Sequence, residues 1–149
     1  MELFTGYGLD YLFRWLHMLA GVTWTGLLYY FNFVQTEYFK EAEPDHKAGA
    51  IQKLVPRALW WFRWGAMVTF LSGVALLSYR HNVLTYAIVV GSLLATIMFL
   101  NVWLVIWPNQ KIVVASAIQV ADGGEAIPEA ADSLAKAGLA SRTNTLFSL

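Results

Sequence analysis

No cysteine occurs among the 149 residues, which removes disulfides, thiolate metal centres, iron–sulfur clusters and covalent haem c attachment at once. Charge is scarce as well: charged side chains make up 13% of the chain, ten of each sign, and the formal net charge is zero. The basic residues are scattered, so there is no electrostatic footprint for nucleic acid. No two of the three histidines lie within one helical turn, which argues against copper and against a zinc hydrolase. A Gly-rich phosphate loop, a nucleophile elbow and a carboxylate pair are missing too. What fills the space is apolar: 58% of residues are hydrophobic and 15% aromatic. That is too apolar for a soluble domain of this size and predicts a chain that lives in lipid.

Three segments are long enough to cross a hydrocarbon core, which takes roughly 20 apolar residues in a helix. They run about Tyr11 to Val34, Trp60 to Tyr79 and Val83 to Trp107. The expected fold class is therefore all-α, a single multi-pass transmembrane domain over residues 1–149 with three spanning helices. Met1 to Asp10 lacks a basic leader, so the first span reads as a retained anchor. Between spans one and two lies a polar loop, residues 35–57, bounded inside by Pro44 and Pro56 and suited to one short interfacial helix. Spans two and three are joined by Arg80-His81-Asn82, which predicts a tight antiparallel hairpin. Pro108-Asn109 marks an expected membrane exit, followed by an Ala-rich amphipathic tail, 111–149, broken at Gly123-Gly124. The tail starts an apolar run at Leu146 that is too short to become a fourth span, so the expectation is either that the natural chain continues into one or that the tail lies on the surface outside the bundle.

Lys40, Lys47, Lys53, Arg57 and Arg63 lie between the first two spans, and Lys111, Lys136 and Arg142 follow the third. Because such residues are retained on the cytoplasmic side, the N-terminus is expected outside. Trp15, Trp60, Trp61, Trp64, Trp103 and Trp107 fall near span ends, where aromatic rings favour the headgroup region.

The ionisable residues inside the first span carry the functional question, since a charge or unpaired imidazole at membrane depth is costly and needs a partner, a cofactor or a polar path. Arg14, His17, Gly21, Trp24 and Leu28 share one helical face, with Asn32 near its inner end. A histidine one turn from an arginine, beside a glycine notch, suits haem b. The imidazole of His17 would bind iron, Arg14 would pair with a propionate, and Gly21 and Trp24 would border the macrocycle. The competing structural reading has His17 bonded to a neighbouring helix and Arg14 reaching the interface. His46 in the polar loop and His81 in the outer turn are weak candidates for a second axial ligand, and Met18, Met67 and Met98 suit packing. Asn101, Thr96 and Ser92 in the third span are expected at helix contacts, because such groups seldom face lipid. Arg63 is a candidate for a lipid phosphate or a second propionate.

Several blocks together resemble a known family. Arg14-Trp15-Leu16-His17 through Gly21-Val22-Thr23-Trp24-Thr25-Gly26 is similar to the opening helix of the membrane-bound urate oxidase (urate hydroxylase) N-terminal domain. Leu59-Trp60-Trp61-Phe62-Arg63-Trp64-Gly65-Ala66 with Thr69 to Gly73 resembles its second block. Asn101, Trp107-Pro108-Asn109-Gln110-Lys111 and Ser141 to Leu146 resemble later ones. The first helix alone also looks like that of the membrane protoporphyrinogen oxidases, whose corresponding histidine is held to bind haem. The resemblance implies a short relative of the membrane domain in the bacterial inner membrane, with His17 as haem ligand. The family's cytochrome c domain has no counterpart in a chain without cysteine.

Three functions follow as expectations: a haem b-associated redox protein or subunit of a membrane electron-transfer complex; a non-catalytic accessory subunit of a larger membrane complex or homo-oligomer; and a urate-oxidising membrane domain. All three place the chain in a lipid bilayer and none needs nucleic acid.

Overall fold

The computed structural model describes residues 6–79 and 84–149, and among these every regular element is helical. Helix α1 (Gly6–Tyr29) passes through a π-helical stretch, Tyr30–Gln35, into α2 (Thr36–Glu41) without a break. Ala42 then turns extended and ends it. Helix α3 (Pro44–Lys53) starts on Pro44, with Glu43 held extended before it, as the residue preceding proline prefers. Helix α4 (Val55–Tyr79) follows almost at once, and Pro56 falls in its first turn, where an amide N–H would have no helical partner. The Arg80-His81-Asn82 turn lies outside the described residues. Helix α5 (Tyr86–Leu100) is capped by Thr85, whose hydroxyl oxygen accepts from the Ile88 amide at 3.3 Å. It continues through a π-helical stretch, Asn101–Ile106, into α6 (Trp107–Ala121). Gly123, in the left-handed region at φ 87°, turns the chain towards α7 (Ala130–Phe147).

The most extensive pairing is between α1 and α4, and it is antiparallel. Phe13 meets Tyr79 at one end and Phe31 meets Phe62 edge-on at the other. Between them the backbones come close because α4 presents small residues. A Cβ placed on Gly65 would lie 3.3 Å from the Trp24 amide nitrogen and 3.5 Å from the Ala20 carbonyl. Helix α5 packs on α4 in the opposite direction through the stacked rings of Phe70 and Phe99, 4.2 Å apart. The core is built from Trp24, Leu28, Phe62, Ala66, Met98, Val102, Ile106 and Ala140.

Pro108, at the expected membrane exit, is not a helix end: the third helical segment runs unbroken for 36 residues from Tyr86 to Ala121. A proline inside a helix removes one hydrogen bond and crowds the carbonyl four residues earlier. The wider π turn immediately before it absorbs that conflict: the Trp107 amide reaches back to the Val102 carbonyl, and the Asn109 side chain donates to the Val105 carbonyl at 2.7 Å. Nor is the tail a bystander. Helix α7 packs against α6 and the π stretch and buries Ser133, Ala137, Ala140 and Asn144. Its contact face is small and polar rather than apolar, which hid it.

The inward polar contact of α7 is an amide pair. Asn144, fully buried, accepts from the Asn101 side chain at 2.9 Å and donates to the Met98 carbonyl at 3.0 Å. Removing one partner strands the other, so Asn144→Ala is expected to cost about 1–3 kcal/mol. Unfolding in detergent measures it, and in the Asn144→Ala background a further Asn101→Ala change should cost little more. Full additivity of the two changes would contradict the pairing.

Candidate functional site

Helix α1 carries His17 on the face that meets α4, at the level where α4 reads Thr69, Ser72 and Gly73. The imidazole Nδ1 lies 2.9 Å from the Thr69 carbonyl oxygen and 3.1 Å from Ser72 Oγ. A carbonyl can only accept, so Nδ1 carries the proton. Ser72 spends its own proton on the Val68 carbonyl at 2.6 Å, so its oxygen also faces Nδ1–H as an acceptor. In the neutral ring the tautomer is thereby set: Nε2 is then the nitrogen with the lone pair, and it makes no hydrogen bond among the described residues. This is the arrangement that metal-ligating histidines use, with one nitrogen anchored to a carbonyl and the other presented.

Gly73 makes the contact possible. A Cβ there would sit 3.1 Å from His17 Cε1 and 3.4 Å from Nδ1, so a side chain would push the ring off the carbonyl. Gly21 is less constrained: a Cβ there would make ordinary contact with the Thr69 methyl, at 3.9 Å.

His17 borders a cavity of about 530 Å³ between α1, the second half of α4 and the first half of α5. Phe70, one half of the ring stack that joins α4 to α5, is part of its wall. The gap stays open beyond that stack because α5 offers Gly91, Ser92, Ala95 and Thr96 there. Trp24 also lines the cavity and is 3% exposed, with its indole Nε1 lacking any hydrogen-bond partner. The wall contains no charged residue and, apart from His17, no histidine or methionine among the described residues.

The expected seam is therefore assembled in part. His17 and Trp24 face the cavity, Gly21 packs on Thr69, and Leu28 is buried in the core. Arg14 does not line the cavity; its guanidinium pairs with Asp10 at 2.9 Å and is more than half exposed. Asn32 spans two helices, donating to the Leu28 carbonyl and to Ser141 Oγ at 2.7 Å. His46 is exposed on α3, Met18 is exposed, and Met98 belongs to the core. His81 lies outside the described residues. Among the described residues no group of three or more His, Cys, Asp or Glu could hold a metal ion by itself.

Arg63 is elsewhere. Its guanidinium carbon sits 3.8 Å over the Trp107 ring and 5.4 and 5.7 Å from the Trp103 and Trp64 rings. Cation–π contacts of this kind contribute about 0.5–2 kcal/mol each, and they hold Arg63 away from the His17 cavity.

Among the described residues the fold is all-helical, with one helix, Tyr86–Ala121, long and apolar enough to cross a membrane by length and composition. Comparison with known protein families, curated proteins and solved structures finds no match.

The tautomer is directly measurable by nitrogen NMR of labelled histidine in detergent. Wild-type protein should show the Nδ1–H form at His17. Gly73→Val should release the ring and restore the Nε2–H form that free imidazole favours; an Nε2–H ring in the wild type would contradict the assignment.

Proposed function

We propose that the chain is a small multi-pass membrane protein in which His17 Nε2 would hold haem b, serving as a redox protein or as a subunit of a membrane electron-transfer complex. The observation that carries this reading is the anchored imidazole, with Nδ1–H held by Thr69 and Nε2 left free at the edge of an apolar cavity. The donor set fits the group: one anchored imidazole, no competing ligand in the wall among the described residues, and a volume within the roughly 300–1,000 Å³ typical of small-molecule and cofactor sites. When bound, haem b supplies one-electron chemistry at its iron. Thr69 would fix the ring plane and strengthen the ligand, the apolar wall would keep water from the iron, and Trp24 would border the macrocycle. Arg14, one helical turn away, would exchange Asp10 for a propionate.

Three spans, with the N-terminus outside in a bacterial inner membrane, fit the distribution of exposed apolar surface. Helix α4 alone has 25 residues, about 37 Å at 1.5 Å per residue, enough for a hydrocarbon core of roughly 30 Å. Met18, Val22, Leu71, Leu93 and Leu104 are exposed, and only 11% of the most apolar window of Tyr86–Ala121 is buried within the chain. That bare helix also favours the accessory-subunit element of the reading, since lipid or a partner helix must cover it. A urate-oxidising membrane domain is the alternative reading, although among the described residues the cavity wall offers no cation for urate, a monoanion at neutral pH.

Protein purified with its native partners in mild detergent should give a b-type reduced-minus-oxidised spectrum. His17→Ala should abolish it while helical circular dichroism persists, and Arg14→Gln should lower haem retention severalfold. A native assembly without any haem band, or an unchanged spectrum in His17→Ala, would defeat the assignment. The topology has its own check, helped by the lack of native cysteine: Tyr7→Cys should react with impermeant maleimide from the outer face, and Glu43→Cys and Lys136→Cys only in inverted vesicles. Labelling of all three from one side would contradict three spans.

A further inference from the structure

A second cavity, of about 500 Å³, opens at the opposite end of α1 from the His17 site, where the chain from Phe31 to Lys40 meets α3, the start of α4, α6 and α7. Its two kinds of wall are separated. The floor is apolar and largely buried, with Val55, Leu59, Phe62 and Ile106 at most 4% exposed. Lys40, Lys47 and Arg142 supply three cations to the lining, which contains no carboxylate. Lys40 is held by Glu37 at 2.8 Å on the exposed side. Lys47 leans over the Phe39 ring at 5.8 Å, and neither it nor Arg142 forms an ion pair with a carboxylate among the described residues. Gln35 contributes a buried amide oxygen that has no hydrogen-bond partner.

We infer that this cavity binds an amphiphilic anion, a carboxylate or phosphate head followed by a hydrocarbon chain. The chain would lie on the apolar floor, where each methylene removed from water stabilises the complex. The head would stay at the rim between Lys47 and Arg142, in charge-assisted hydrogen bonds. Arg142 presents a planar fork suited to either head, and Lys47 a point charge. A neutral amphiphile would satisfy the floor and leave both cations without a counter-charge. A small inorganic anion would satisfy the cations and leave the floor empty. The inference rests on this cavity alone and stands whether or not His17 binds haem.

Two sources could supply such a ligand, a free fatty acid or an anionic phospholipid, and two probes separate them. Delipidated full-length protein in a neutral maltoside detergent is titrated with dodecanoate by calorimetry; separately, native mass spectrometry measures retention of phosphatidylglycerol against phosphatidylcholine. Saturable 1:1 binding of dodecanoate, or selective retention of phosphatidylglycerol, is the expected result and identifies the source. The Lys47→Gln/Arg142→Gln pair should weaken that binding by roughly tenfold or more, the loss of one charge-assisted hydrogen bond at the least. Lys53→Gln/Lys136→Gln, which removes equal charge outside the lining, should leave it unchanged. Equal affinity for dodecanol and dodecanoate, equal loss in both double variants, or binding of neither probe would overturn the inference.

Discussion

The closeness of α1 and α4 is the constraint from which the rest of the molecule follows. Two helices carrying ordinary side chains keep their axes 8–10 Å apart, and small residues let backbones come nearer. Here α4 turns Gly65, Ala66, Thr69, Ser72 and Gly73 towards α1, and the Gly65 position leaves only backbone between it and Trp24. At that distance an α1 side chain can reach a main-chain carbonyl of α4 that already serves its own helix. His17 does so at Thr69. The same approach tips Trp24 and Leu28 into the core. Helix α5, propped against α4 by the Phe70–Phe99 stack, leaves the space in front of the imidazole unfilled.

The other end of the molecule is organised by helices that do not stop where their sequences suggest. The π stretches at Tyr30–Gln35 and Asn101–Ile106 rotate the helical face that follows, and the second carries its helix past Pro108. Past the second of these, Trp107 comes to lie over Arg63, and α6 reaches far enough to meet α7. Helix α7 then closes the bundle through Ala137, Ala140 and the Asn101–Asn144 amide pair. The His17 cavity and the cation-rimmed cavity are thus separated by the same packed core of Phe62, Met98 and Val102.

Much of the first helix was legible from spacing. His17, Gly21, Trp24 and Leu28 recur at helical intervals, and they do share the face that meets α4 or the cavity. Arg14 sits on the same calculated face but pairs with Asp10, and the signal for that was present: an acid four residues before a base forms a helix-surface pair. Thr69 and Ser72 were not found as partners of His17, because a backbone carbonyl and a serine already bonded within its own helix leave no mark in sequence. That the helix continues past Pro108 left no mark in the sequence, because the compensating π turn depends on packing. Helix α7 was missed as a structural member because its buried face is built from alanine, serine and asparagine, which carry no hydrophobic periodicity.

The proposed haem site rests on one nitrogen atom. Nδ1 of His17 is committed to the Thr69 carbonyl, and Nε2 is offered to whatever occupies the adjoining cavity. The most direct test is an experimental density map of the assembly purified from its own membrane. The account predicts a flat macrocycle bonded to His17 Nε2, with Nδ1 still about 2.9 Å from the Thr69 oxygen. A cavity filled by a lipid chain or a partner's side chain, with Nε2 hydrogen-bonded to protein, would contradict it.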